Sequence, residues 1–215
     1  MRLFPLSFGL LVAGAVGQAH ANAPIYSESF DSLSAMSTAG WVFSNQSTAP
    51  AQPWFQGNPG VFAAFAGATN SYVAASFLSS GAINGVVSNW MITPTLSLSG
   101  GETLSFYARS PTTDFTDGLQ VRLSPTGSSA VGDFTLSLLS IAAAPAGWTL
   151  YSAVIPSLGG PASARIAFQY SVADAANADY IGIDSLAIAP IPEPASVVLL
   201  GLGLAGIAIR RRLAA

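Results

Sequence analysis

The sequence contains no cysteine and no lysine, and its one histidine is His20. Without thiols there is no disulfide framework, no thiolate metal site and no cysteine nucleophile. Without lysine there is no Schiff-base chemistry. Charge is scarce too: seven arginines and ten acids in 215 residues leave a net charge of −3. An acidic chain with few arginines lacks the electrostatic footprint of a nucleic-acid binder. What is present is apolar residue (51%) punctuated by 21 glycines and 14 prolines, at a length that suits one or two ordinary domains.

Both ends read as addresses. Arg2 is followed by an apolar stretch from Leu3 to Val16, and small residues then recur at Ala19-His20-Ala21 and Ala21-Asn22-Ala23. This is the charged, apolar and small-residue order of a secretory leader. Pro24 would sit just past a cut after Ala23, where its fixed φ and missing N–H resist a peptidase, so signal peptidase is expected to cut after Ala21. Residues 1–21 are therefore a signal peptide, and His20 leaves with it. The remaining domain, 22–190, has three arginines and nine acids, a net −6, and no His, Cys or Lys. A Ser-His-Asp triad, a Cys-His pair and a histidine metal site are excluded by inventory.

At the other end, Pro192-Glu193-Pro194 precedes fifteen uncharged residues, Ala195 to Ile209, and then Arg210-Arg211-Arg212. A helix over 195–209 would span roughly 22 Å, short of the roughly 30 Å hydrocarbon core. Its flanks compensate, because prolines stop it upstream and three arginines can snorkel to headgroups downstream. A transmembrane helix with its arginines in the cytoplasm is expected. Gly201-x-Gly203-x-x-Gly206 matches a dinucleotide-binding spacing, but it lies in an apolar run and the chain ends nine residues later. There is no room for the acidic ribose partner that pattern needs, and small residues in a membrane helix account for it.

A Pro-Glu-Pro triplet, a short apolar helix and a terminal arginine cluster, in that order, resemble the PEP-CTERM sorting signal of Gram-negative bacteria. The resemblance covers Pro192, Glu193, Pro194 through Arg210, Arg211 and Arg212. It implies an exosortase-type partner that cuts near the triplet, with the helix a transient inner-membrane handle and the cell surface or extracellular matrix the destination.

Within 22–190 the dominant signal is period two. Leu104, Phe106 and Ala108 alternate with Ser105, Tyr107 and Arg109; Leu119, Val121 and Leu123 with Gln120, Arg122 and Ser124; Ile166, Phe168, Tyr170 and Val172 with Arg165, Ala167, Gln169 and Ser171. That is the pattern of strands packed on one face. Further strands are expected at 25–30, 71–77, 86–92, 134–140, 148–155 and 180–188, separated by Gly, Pro, Asn and Ser clusters. No segment keeps a 3.6-residue period over three turns. Many short strands without helices predict an all-β domain of two stacked antiparallel sheets.

The ordered segments ESFD (28–31), NSYVAASF (70–77), NWMITP (89–94), LSFYARS (104–110), LQVRLSPTG (119–127), VGDF (131–134), WTLYSAVI (148–155), ARIAFQY (164–170) and YIGIDSLAI (180–188) are similar to the choice-of-anchor J domain. That family is related to the cleaved-adhesin and MAM-type jelly rolls. The resemblance implies a concanavalin-like jelly-roll sandwich, an extracellular module for adhesion or ligand binding that ends in a sorting signal.

Three groups are candidate sites. The resemblance implies that the first and last strands are neighbours, bringing Glu28 and Asp31 near Asp184 as a structural Ca²⁺ site of clustered carboxylates. Trp54 and Phe55, bracketed by Pro53, Gly57, Pro59 and Gly60, either form a stacking platform for sugar rings or fold back as core. Asp114, Asp117, Arg122 and Asp133 offer either paired carboxylates for glycoside hydrolysis or turn-forming aspartates with an arginine paired across a hairpin. The expected function is non-catalytic: adhesion, or association with exopolysaccharide, with divalent cations bridging the acidic surface to anionic polymer. The alternative is a carbohydrate-active enzyme of glycoside hydrolase type.

Overall fold

Period-two alternation is realised most clearly in Glu102–Arg109, where every second residue from Glu102 to Ala108 is buried and its neighbour half-buried. The computed structural model of the chain describes residues 23–191 and, beyond them, Gly203 alone. The leader, the Pro-Glu-Pro triplet, segment 195–209 and the arginine cluster lie outside the described residues. Among the described residues no helix is long and apolar enough to cross a membrane.

In chain order the strands are β1 (Tyr26–Glu28), β2 (Val42–Asn45), β3 (Phe55–Gln56), β4 (Val73–Ser76), β5 (Val87–Ile92) and β6 (Leu96–Leu98). They continue as β7 (Glu102–Arg109), β8 (Leu119–Ser124), β9 (Leu136–Ile141), β10 (Thr149–Val154), β11 (Ala162–Val172) and β12 (Tyr180–Pro190). One sheet runs β10-β7-β12-β4-β3, with β1 also on β12; the other runs β2-β5-β11-β8-β9, with β6 on β11. All of these pairings are antiparallel. β4 pairs with the first part of β12 (180–183) and β1 with its later part (186–188). The first and last strands are thus neighbours.

The core lies between the sheets. Leu104, Phe106, Ile181 and Ile183 from one sheet, and Met91, Leu119, Val121, Ile166 and Phe168 from the other, belong to one buried cluster. Phe106 meets Phe168 edge-on at 5.1 Å between ring centroids. Each such fully buried side chain contributes roughly 1.5–3 kcal/mol, and an aromatic pair about 0.5–1.5 kcal/mol more. This single core is what an all-β sandwich without disulfides needs.

β4 and β12 depart from alternation for one reason. β4 is buried at every residue and β12 over its first five, because a loop covers their outer side as well. Short elements escape the period-two reading. β2, β3 and β6 hold only four, two and three residues. The α-helix Leu33–Thr38 is six residues long and is capped by Ser32, whose side chain accepts the Ala35 N–H. At under two turns it offers no helical period to read.

Candidate functional site

The neighbouring of β1 and β12 does not gather the three carboxylates read from the sequence. Glu28 turns back on its own strand end, where Oε1 accepts the Phe30 N–H at 2.9 Å and Phe30 takes a left-handed φ of 56°. Asp31 is exposed and accepts the Ser29 hydroxyl at 3.1 Å. Asp184 is wholly buried, and its Oδ2 accepts the backbone N–H groups of Phe65 (2.8 Å) and Ala66 (3.1 Å). Burial nonetheless pushes the Asp184 carboxyl above its ordinary value, outweighing those hydrogen bonds. Among the described residues no group of three His, Cys, Asp or Glu is placed to hold a metal ion. What Asp184 does hold is a loop.

Trp54 folds back as core. It is 1% exposed and its indole N–H donates to the Asn89 carbonyl at 3.0 Å, so no ring face is offered to a sugar. Phe55 is half-buried and packs edge-on against Tyr180 at 5.7 Å. The aspartates likewise stay apart. Asp114 closes a turn with Thr112, whose hydroxyl donates to Oδ2 at 2.8 Å. Asp117 is wholly buried, and its Oδ1 accepts the Tyr170 hydroxyl at 2.5 Å and the Asp179 N–H at 2.8 Å. Asp133 is exposed in a 3₁₀ turn.

The loop 57–72 covers the outer face of β4, of the first half of β12 and of the end of β7, while Leu150 and Val154 of β10 stay exposed on that face. Phe62 and Tyr72 from that loop stack at 5.0 Å, and Trp148 and Tyr180 meet the Phe62 ring edge-on at 5.5 and 5.3 Å. The Arg109 guanidinium lies 4.2 Å above the Phe62 ring centroid and donates from Nη2 to the Ala146 carbonyl at 2.7 Å. The cover is tight enough to require glycine beneath it. A Cβ on Gly182 would stand 2.9 Å from Phe62 and 3.0 Å from Tyr72, and one on Gly57 only 2.2 Å from Tyr72. Gln56 fastens the loop's base, its Nε2 donating to the carbonyls of Phe30 (2.8 Å) and Asn70 (2.7 Å).

The opposite sheet presents a different outer face. Cross-strand register sets Ser44 beside Trp90, Trp90 beside Gln169, Gln169 beside Gln120, and Gln120 beside Ser140. This row crosses β2-β5-β11-β8-β9 in four inter-strand steps, about 19 Å in all. Gln120 and Gln169 are half-buried, and each is steadied by a hydroxyl: Gln120 Nε2 donates to Ser140 at 2.8 Å and Gln169 Nε2 to Ser88 at 3.0 Å. Trp90 also donates its indole N–H to Ser88 at 3.0 Å, and Phe134 packs on it at 5.9 Å. That contact folds the 125–135 loop over one end of the face, covering Ile92 and Ala167. The alternation of 119–124 and 165–172 made Gln120, Arg122 and Gln169 outward-facing in the sequence. Their lateral adjacency depends on strand order, which alternation does not carry.

Fixed amide groups in a row, half-buried beside the buried Trp90, can bond the many hydroxyls of a polymer lying across the strands, and the row itself holds no carboxylate. A separate apolar hollow of about 350 Å³ is lined by Phe77, Ile83, Phe115 and Ala178 with Ser80 and Asp179. Ser80 is occupied there, since its hydroxyl lies 2.9 Å from the Thr48 carbonyl and 2.8 Å from that of Ala82.

Comparison with known proteins agrees with both parts of the chain. Residues 190–212 match the PEP-CTERM protein-sorting motif. The K2 cleaved adhesin domain of Lys-gingipain superposes with a TM-score of 0.60 at 17% identity, over 76% of this chain and 98% of that one. The K1 cleaved adhesin domain of Lys-gingipain from Porphyromonas gingivalis gives 0.55 at 22% identity, over 77% and 98%. The C-terminal family 22 carbohydrate-binding module of Clostridium thermocellum Xyn10B gives 0.50 at 11% identity, over 80% and 96%. No curated protein matches the sequence. The chain therefore carries a PEP-CTERM sorting motif behind a two-sheet antiparallel β-sandwich similar in fold to the cleaved adhesin domains.

Proposed function

We propose that this is an exported, non-catalytic surface or extracellular-matrix protein that associates with exopolysaccharide through the outer face of β2-β5-β11-β8-β9. Signal peptidase removes residues 1–21, the sandwich 22–190 is the working part, and 191–215 is the sorting signal. An exosortase-type enzyme of a Gram-negative host acts near Pro192-Glu193-Pro194, and helix 195–209 with Arg210, Arg211 and Arg212 holds the protein in the inner membrane until then. The likeness to adhesin and carbohydrate-binding sandwiches supports binding as the role of the domain.

One observation carries the reading. The outer face of β2-β5-β11-β8-β9 displays a row of positioned amides and hydroxyls, whereas the middle of the opposite outer face is covered by an aromatic loop. An acid-pair hydrolase finds no support in the placement of these aspartates, since Asp117 is wholly buried, Asp114 closes a turn with Thr112 and Asp133 is exposed in a 3₁₀ turn. Affinity electrophoresis of the full chain through gels containing exopolysaccharide extracted from the native host tests the proposal. Retardation is expected for the wild type and its loss for the double variant Gln120→Ala, Gln169→Ala, which gives up two side-chain hydrogen bonds, about 0.5–1.5 kcal/mol each, and should still melt as a folded domain. Equal retardation of the two proteins would refute this face. Mass spectrometry of the exported protein should find its N-terminus at Asn22 and its C-terminus near the Pro-Glu-Pro triplet.

A further inference from the structure

The sheet proposed as the ligand face differs in charge from the rest of the domain. Its six strands contain no Asp or Glu, yet they carry two of the domain's three arginines, Arg122 and Arg165. On a domain of net −6 this is a local reversal of sign. The loop that joins β8 to β9 holds one carboxylate, Asp133, and it is exposed.

The arginines differ in what they already hold. Arg165 is a strut, donating from Nε to the Gly127 carbonyl at 2.9 Å and from Nη1 to those of Thr93 (2.7 Å) and Gly40 (3.3 Å). Arg109, on the other sheet, is committed to Ala146 and the Phe62 ring. Arg122 stands mid-sheet between Ala167 of β11 and Ser137 of β9, two residues along β8 from Gln120. Its Nε is buried and finds no acceptor among the described residues. That buried Nε is closed to solvent, so the part of Arg122 a ligand can meet is the rest of its half-buried guanidinium, for which no hydrogen-bond partner is found among the described residues. The planar fork of a guanidinium matches a carboxylate with two parallel hydrogen bonds.

We propose that this face takes a carboxylated polysaccharide, a polymer of uronic acids, with Arg122 pairing to a ring carboxylate while Gln120 and Gln169 bond hydroxyls of neighbouring sugars. The inference rests on the proposed face and adds the class of ligand. It removes the need for divalent cations to bridge protein and polymer.

The test is affinity electrophoresis of the full chain in gels containing polygalacturonate, alginate, or fully methyl-esterified polygalacturonate, which keeps the sugar backbone and removes the charge. The wild type should bind at least one of the two polyuronates about tenfold or more tighter than the ester, the worth of one charge-assisted hydrogen bond. Arg122→Gln should reduce binding of the acid form to the level of the ester and leave the ester unaffected. Its melt should match the wild type, since no internal partner is lost. Equal binding of acid and ester, undiminished acid binding by Arg122→Gln, or no retardation by either polyuronate would overturn the inference. If the Gln120→Ala, Gln169→Ala variant still loses binding to the native exopolysaccharide, the face stands while the uronate assignment falls. If that variant binds as the wild type does, the face itself is wrong.

Discussion

Phe62 is the residue that anchors the loop 57–72 to the sheet beneath it, and its removal has a magnitude that the structure supplies. The ring is 7% exposed and touches three aromatic neighbours, with the Arg109 guanidinium 4.2 Å above it. Phe→Ala in a packed cluster costs about 3–5 kcal/mol. The lower end applies here, because Phe62 sits on a loop that can relax into the space left behind. At about 3 kcal/mol, a domain of this size should lose roughly 6–12 °C in Tm. Phe62→Leu should lose less than half of that, since it keeps most of the apolar area. The cation–ring contact is separable by a double-mutant cycle with Arg109→Leu, which should give a coupling of about 0.5–2 kcal/mol. Hydrogen exchange supplies the local readout: amides of 57–72 should lose protection in Phe62→Ala while those of β5, β8 and β11 keep theirs. A melt within about 2 °C of wild type, which is under 1 kcal/mol, would refute the view that this ring holds the loop down. So would equal loss of protection in both sheets.

Other consequences are as concrete. Burial raises the Asp117 carboxyl above its ordinary 3.8, with Asp179 nearby adding to it and Oδ2 unpartnered. A group whose folded value is raised gives stability that is full below its unfolded value and is lost as pH rises through the folded one. Asp117→Asn, neutral at every pH, should therefore show a smaller fall in urea stability than wild type as pH increases from 4 upward; parallel curves would contradict this. Gly57→Ala, whose Cβ would lie 2.2 Å from the Tyr72 ring, should destabilise by at least about 1–3 kcal/mol, whereas Gly132→Ala, with nothing within 4 Å, should melt within ~0.5 kcal/mol of wild type. Tyr170→Phe leaves the buried Asp117 with one donor fewer and should cost about 1–3 kcal/mol in chemical denaturation.

The strands were legible where alternation or an apolar run bounded by turn residues marks out a segment. β1, β4, β5, β7, β8, β9, β10, β11 and β12 lie within about three residues of the segments expected at 25–30, 71–77, 86–92, 104–109, 119–124, 134–140, 148–155, 165–172 and 180–188. β2, β3 and β6 were not legible, because two to four residues set among Gly, Pro, Ser and Asn cannot display a period. Among the candidate sites, the turn character of Asp114 was readable from its PTTDFTDG setting, and the structure closes that turn on Thr112. Trp54 was ambiguous: an aromatic residue between prolines and glycines looks the same in sequence whether its loop stands out or folds in. Only the Asn89 carbonyl, 35 residues away, decides it.

Composition and local pattern alone fixed the chemistry this domain lacks, its strand-rich build, the outward direction of Gln120, Arg122 and Gln169, and the address at its end. Those properties belong to single residues or to neighbours along the chain. Tertiary structure decided where the loop 57–72 lies, that Glu28, Asp31 and Asp184 form no three-carboxylate group, and that Arg122 alone among the domain's three arginines keeps a buried donor without a partner. Each of these depends on contacts between residues tens of positions apart. Strand order and loop closure set such contacts through the packing of the whole, which no periodicity in the sequence encodes.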